Sequence, residues 1–405
     1  MSFKLVYLLS ILSFIILFLL VLTSPKQSIY DESIFIENLK LLERVGLNEF
    51  FLLRLKDQSP GPLFQFIHYS FLPLTTYSMI GLRVVNYFLM SLTIFFTYLT
   101  LQPKKNSIIV ACMYLSWPMT WVVSGMALTE IPSMLFTAIF IYILQLVLFS
   151  KSKSQISKHS LIVLAGLSLS LAIVGRSPFL MVVFACPILL FITKKQTLII
   201  LLIIVACIFP IYMFTIWNGL VPPSVQQIQK GMNVMYMFMA FGYMAIITFI
   251  IAYKWYDMPK YNYIIVFILT VVFIIINLKF HFLSFEPLKS VSDKIIPYSL
   301  LNSYKYIAPG VIVGISILYI TSCVFQLIKN RKNVFFLFTL IAGLLIIATT
   351  LKSSAQFSSR YVVQAAPFFM IAYFDYIEIN GKTFILQLVG VLLGIFSLLS
   401  YYQYL

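Results

Sequence analysis

Charge is what this sequence has least of. Only 10% of its 405 residues are Asp, Glu, Lys or Arg, where a soluble domain carries roughly 25%. A surface facing water cannot be covered with so few charges, so lipid has to be the main solvent. Histidine is also scarce. The three residues His68, His159 and His281 make no HExxH pair and no metal-ligand cluster. The four cysteines, Cys112, Cys186, Cys207 and Cys323, lie inside apolar runs without CxxC spacing. They read as small hydrophobes rather than disulfides or metal ligands. No P-loop or dinucleotide fingerprint occurs, which argues against an ATP-driven pump and a redox enzyme. Nor is there an internal repeat, a low-complexity tract, or a basic stripe of the kind that reads nucleic acid.

What the chain does have is apolar length. Apolar residues make up 61% of it, with 38 Phe and 25 Tyr, a content that suits lipid-facing surfaces and interfacial belts. A transmembrane helix needs about 20 apolar residues. Runs of that kind predict thirteen spans, at 3–23, 79–101, 107–125, 128–149, 160–176, 179–192, 197–217, 232–253, 262–278, 305–327, 334–351, 360–374 and 384–403. The first run, Leu5 to Leu22 behind Lys4, exceeds the apolar core of a signal peptide, about 7–15 residues. Thr23-Ser24-Pro25 is not a small-x-small cleavage site either, so an uncleaved first span is expected. The expected fold is all-α, a polytopic transmembrane helical bundle forming one domain over 1–405.

The net charge of +16 fits the positive-inside rule. With the N-terminus in the cytoplasm, the inner gaps are 102–106, 150–159, 193–196, 254–260, 329–333 and 375–382. Together with Lys4 they hold 14 of the 28 basic residues but three of the 12 acidic ones, Asp257, Asp375 and Glu378. Short loops decide orientation, and the same charges attract anionic lipid headgroups. The long outer segments are then 24–78, 218–231 and 279–304. Residues 61–75 are apolar but too short to cross, and 31–57 repeat Ile34, Leu39, Leu42, Val45 and Phe50 at helical spacing among charges. The first outer loop is therefore expected to form amphipathic helices on the membrane surface.

A few polar residues stand out against this background. Asp31 and Glu32 follow the first span. Two adjacent carboxylates there could serve as a general base, bind a divalent cation such as Mg or Mn, or simply cap a helix. Arg83, Glu130, Arg176 and Arg360 all fall at predicted outer helix ends. A charge at a helix centre costs about 2.5–3.5 kcal/mol on insertion scales, less near an end, where a side chain can snorkel. Independent snorkelling would not put all four on one face, and would favour arginine on the inner side. Lys230, Lys279, His281, Lys289, Lys294 and Lys305 lie on the outer loops, and His68 and Tyr361 close to the same face. A cationic outer cavity suits an anionic, lipid-linked ligand, because arginine forms bidentate hydrogen bonds to phosphate oxygens.

The order of these features resembles the GT-C superfamily of membrane glycosyltransferases. The chain offers Asp31-Glu32 after an N-terminal span, Pro60-Gly61-Pro62-Leu63 opening a surface helix, Arg83 in the second span, Glu130 with Pro132 after the third, and Arg360-Tyr361 ahead of Pro367. Many such enzymes have His-Pro-Pro-Leu where this chain has Ser-Pro-Gly-Pro-Leu. The resemblance implies a polyprenyl-phosphate sugar donor, its phosphate at the outer surface, and a lipid, glycan or protein acceptor; the lean loops favour a bacterial plasma membrane over an endoplasmic reticulum membrane. It makes Asp31 the base for the acceptor hydroxyl. Arg360, with Arg176, Lys230 or Lys279, would offset charge on the departing phosphate, and Glu32 would orient the acceptor or a cation. Transfer would invert the sugar carbon. Rival readings are a flippase or transporter, which often shows repeats and mid-membrane helix breaks, a polysaccharide polymerase, and a membrane scaffold.

Overall fold

A computed structural model gives the structure of the protein and describes residues 2–102, 104, 106–149, 155–192, 195–227, 231–286, 298–353 and 357–403. Among them every regular element is helical. Ten helices are long and apolar enough to cross a membrane, or eleven if one bent pair is a single span. The chain is a polytopic membrane protein.

The long helices are α1 (Ser2–Leu22), α6 (Met79–Leu101), α9 (Glu130–Phe149), α10 (Gln155–Gly175), α13 (Gln196–Trp217), α14 (Val234–Ala252), α15 (Lys260–Phe280), α16 (Tyr298–Lys329), α17 (Val334–Ala348) and α20 (Gly381–Tyr402). Three of the thirteen predicted spans are not single long helices. The stretch 107–125 is α7 (Ser107–Cys112) and α8 (Pro118–Gly125), bent by 80°. Pro118 has no N–H to continue the helix before it. The stretch 179–192 is two short helices, α11 (Leu180–Ala185) and α12 (Pro187–Ile192), and 360–374 is α18 (Arg360–Val363) and α19 (Ala366–Ala372). Length and composition thus qualify ten of the thirteen stretches as single helices, and an eleventh as the bent pair.

Side-chain pairs show that the short stretches still join the two ends of the bundle. Arg360 pairs with Asp31 at one end, and Asp375 pairs with Lys104 at the other. Arg176 pairs with Glu130 at the first end. Lys195 donates to the carbonyls of Val147 and Leu148, both at 2.7 Å, at the second. The broken segment 360–372 is almost wholly buried from Val362 to Met370. Irregular backbone is tolerated at membrane depth where protein covers it. Where α20 passes the bend it carries Gly390 and Gly394, whose added Cβ atoms would meet Ser116 O at 2.3 Å and the Trp121 ring at 2.1 Å.

The described residues of the basic gaps share one end of the bundle, where Lys254 also pairs with Glu378. The segment 24–78 sits at the opposite end. It holds α2 (Glu32–Val45), α3 (Glu49–Leu53), α4 (Leu63–Ser70) and α5 (Leu72–Thr75). Phe35, Leu39 and Leu42 form the buried stripe of α2, at the spacing that puts them on one helical face. Leu42, Phe51, Leu52 and Leu55 pack with Val174, Met213 and Trp217 in a small core of their own. Trp217 Nε1 donates to Leu52 O at 2.9 Å. The surface helices are thus clamped onto the ends of α10 and α13.

Candidate active site

Asp31 stands at the N-terminus of α2, yet its carboxylate makes no capping bond. Oδ2 instead accepts from Arg360 Nη2 at 3.0 Å. Its side chain is 43% exposed, against 16% for Arg360. Arg360 Nε also donates to Ser358 Oγ at 3.1 Å, which fixes the guanidinium plane.

Both side chains line a cavity of about 690 Å³ at the end of the bundle opposite the basic gaps. Glu130, which starts α9, and Arg176, which follows α10, line it too and pair with each other. Arg176 also lies 6.0 Å from the ring centroid of Tyr361. Four predicted charged residues and Tyr361 therefore meet in one hollow, although Asp31 and Arg360 are 329 residues apart. Several polar atoms on its wall are buried without a partner, namely Glu130 Oε2, Arg176 Nε, Thr129 Oγ1 and Gln364 Oε1.

The loop on the opposite wall is held by amides. Asn38 Nδ2 donates to Gln58 Oε1 at 2.9 Å, Gln65 Nε2 donates to the same oxygen at 2.8 Å, and Gln58 Nε2 donates to Pro60 O at 3.0 Å. Gly61 then seals the loop to α10, donating its N–H to Gly175 O at 3.0 Å. A Cβ there would lie 1.8 Å from Val174 O, so this close approach requires glycine.

Other predicted site residues are elsewhere. Glu32 is fully buried. Its Oε1 accepts from Arg83 Nε at 2.9 Å and Ala127 N at 2.8 Å, and its Oε2 from Arg83 Nη2 at 2.6 Å and Ile29 N at 2.8 Å. Arg83 spends its remaining donors on Ser24 Oγ, Pro25 O and Gln27 O. The pair is a closed staple joining α1, α2, α6 and the turn before α9. The carboxylates of Asp31 and Glu32 thus have different partners, Arg360 for the first and Arg83 for the second. Among the described residues no group of three or more His, Cys, Asp or Glu is placed to hold a metal.

His68 is buried below this staple, its Nε2 3.2 Å from Asn86 Oδ1. Burial pushes its pKa down to about 4, so the imidazole is uncharged near neutral pH and offers no cation to a phosphate. Lys279 is exposed at the end of α15, over the Phe280 ring. His281 is exposed too and packs on Tyr306, and Lys305 also lies against that Tyr306 ring. None of the four lines the cavity. Lys230, Lys289 and Lys294 lie outside the described residues.

Asp57 and Lys352 also line the cavity, and sequence reasoning missed both. Lys352 sits in the short gap between two predicted outer helix ends, a position that could have flagged it. Asp57 lies in a charged loop segment whose sequence carries no signal that would single it out.

No family model matches the sequence, and no curated protein does. Among solved structures, ArnT from Cupriavidus metallidurans bound to undecaprenyl phosphate is similar, with a TM-score of 0.43 and 12% identity, covering 95% of this chain and 77% of that one. The same protein in the apo state is similar with a TM-score of 0.45 and 10% identity, covering 96% of this chain and 76% of that one.

Proposed function

We propose that the protein is a membrane glycosyltransferase that moves a sugar from a polyprenyl-phosphate donor to a hydroxyl acceptor at the extracytoplasmic face. The observation that carries this reading is the meeting of Asp31, Arg360, Glu130 and Arg176 around one cavity at the end away from the basic gaps. A partly exposed carboxylate beside a guanidinium matches the two demands of the reaction.

In this reading the donor phosphate takes Arg360, and Asp31 is released toward the acceptor. The acceptor oxygen attacks the anomeric carbon while its proton passes to an Asp31 oxygen. The bond from that carbon to the phosphate oxygen breaks, and the electron pair leaves with the lipid phosphate. Arg360, with Arg176, offsets the charge that grows there. One displacement inverts the sugar carbon. The basic gaps would face the cytoplasm of a bacterial plasma membrane, with the N-terminus on that side. The unpaired wall atoms suit a polyhydroxy ligand, which a lipid scaffold would not need.

Purified protein incubated with labelled polyprenyl-phosphate sugars is expected to release lipid phosphate and give a product of inverted configuration. Asp31→Asn is expected to lower turnover by roughly 10²–10⁴-fold while the protein still folds. Unchanged transfer in that variant removes Asp31 from the chemistry. Retention of configuration rules out the single displacement.

A further inference from the structure

Among the described residues, six charged side chains line the cavity: Asp31, Asp57, Glu130, Arg176, Lys352 and Arg360. Acids and bases are equal in number. Glu130 is the most deeply placed of the acids, with its side chain 2% exposed. It pairs with Arg176, and Arg360 lies in its field as well as in that of Asp31. Even so, Glu130 Oε2 and Arg176 Nε have no partner. A carboxylate set among arginines in a phosphate site is, at first sight, misplaced.

Resting on the transfer reading above, we propose that Glu130 is a positioning residue. It partly neutralises Arg176 and Arg360, so that the cavity accepts a singly charged phosphodiester and releases a doubly charged phosphate monoester. Sugar transfer turns the first into the second. A monoester carries about −1.5 to −2 charge near pH 7, its second ionisation falling near pH 6. Bare arginines would hold such a product through charge-assisted, bidentate bonds. Product release often limits turnover. With Arg176 shared with Glu130 and Arg360 with Asp31, the charge that grows on the departing phosphate is offset in part and the product is not held, while Arg176 Nε can still orient the donor.

The test uses the purified full chain in detergent with two probes, dodecyl phosphate as monoester and dodecyl methyl phosphate as diester. At pH 8 the natural protein is expected to bind both within about threefold of each other. Glu130→Gln is expected to bind the monoester at least about tenfold tighter, a difference of 1.4 kcal/mol. That gain should vanish below about pH 6, where the monoester loses its second charge. A purely structural role for Glu130 would weaken both probes alike. A tenfold preference of the natural protein for the monoester overturns the proposal, as does a Glu130→Gln variant that binds it no tighter. If Glu130→Gln fails to fold, the two affinities of the natural protein decide. Absence of sugar transfer with these affinities as expected removes the transfer reading alone. Transfer with unchanged affinity removes the role of Glu130 alone.

Discussion

Asp31 and Glu32 are neighbours in the chain, but their carboxylates live in different media. Glu32 is enclosed and accepts four hydrogen bonds, three of them from Arg83 and Ala127. Asp31 has one charged partner and an open face. A buried ion pair that loses one member leaves an unpaired charge, at a cost of about 3–5 kcal/mol. Glu32→Gln is therefore expected to lower thermal stability in detergent strongly. The double variant with Arg83→Met should be less destabilised than the sum of the two single changes. Strict additivity in that double-mutant cycle would dissolve the staple. Sequence alone pointed to Asp31, Arg83, Glu130, Arg176 and Arg360 because charges are rare in apolar runs and these shared a predicted face, although Arg83 belongs to the staple with Glu32. It could not separate Asp31 from Glu32, since the partner that claims Glu32 lies 51 residues away.

At the scale of elements, run length marked the long helices, α6 (Met79–Leu101) to the residue, while α16 (Tyr298–Lys329) begins seven residues before its expected start at 305. Run length did not reveal the bend at Trp117 or the breaks in 179–192 and 360–374, because a hydropathy run records composition and not continuity of hydrogen bonding. The surface helices were legible from the mixture of apolar spacing and charge in 31–57. The amide cluster that holds the next loop was not, because Asn38, Gln58 and Gln65 become one network only after α2 and α4 have packed. Gly61 is the hinge pin of that wall. Gly61→Ala is expected to destabilise the protein by about 1–3 kcal/mol, the usual penalty of overpacking, and to weaken ligand binding along with it. Measured by thermal unfolding and by retention of a phosphodiester probe, a neutral result would mean that the loop does not rest on α10 as described.

The whole molecule separates its charges by end. Basic gaps and their acidic partners gather at one end, as at Lys104–Asp375 and Lys254–Glu378, and the cavity lies at the other. Short-loop charge predicts that the basic end faces the cytoplasm. In a chain whose four cysteines are replaced, Leu47→Cys, at a site 65% exposed near the cavity end, should react with an impermeant maleimide from outside intact cells. Lys332→Cys, exposed at the basic end, should react only after permeabilisation. The reverse pattern would place the cavity in the cytoplasm and move the proposed reaction to that side.

The bond between Asp31 and Arg360 closes a stretch of 329 residues. While the ribosome is still extending the polypeptide, Asp31 and the surface helices are complete, but the guanidinium that faces them does not yet exist. The pocket therefore assembles only after synthesis has run on from Asp31 past Arg360, since contacts between distant segments form only after long loops have closed. A ligand can stabilise only the finished protein. Its capture therefore reports full assembly in a way that insertion of the helices does not.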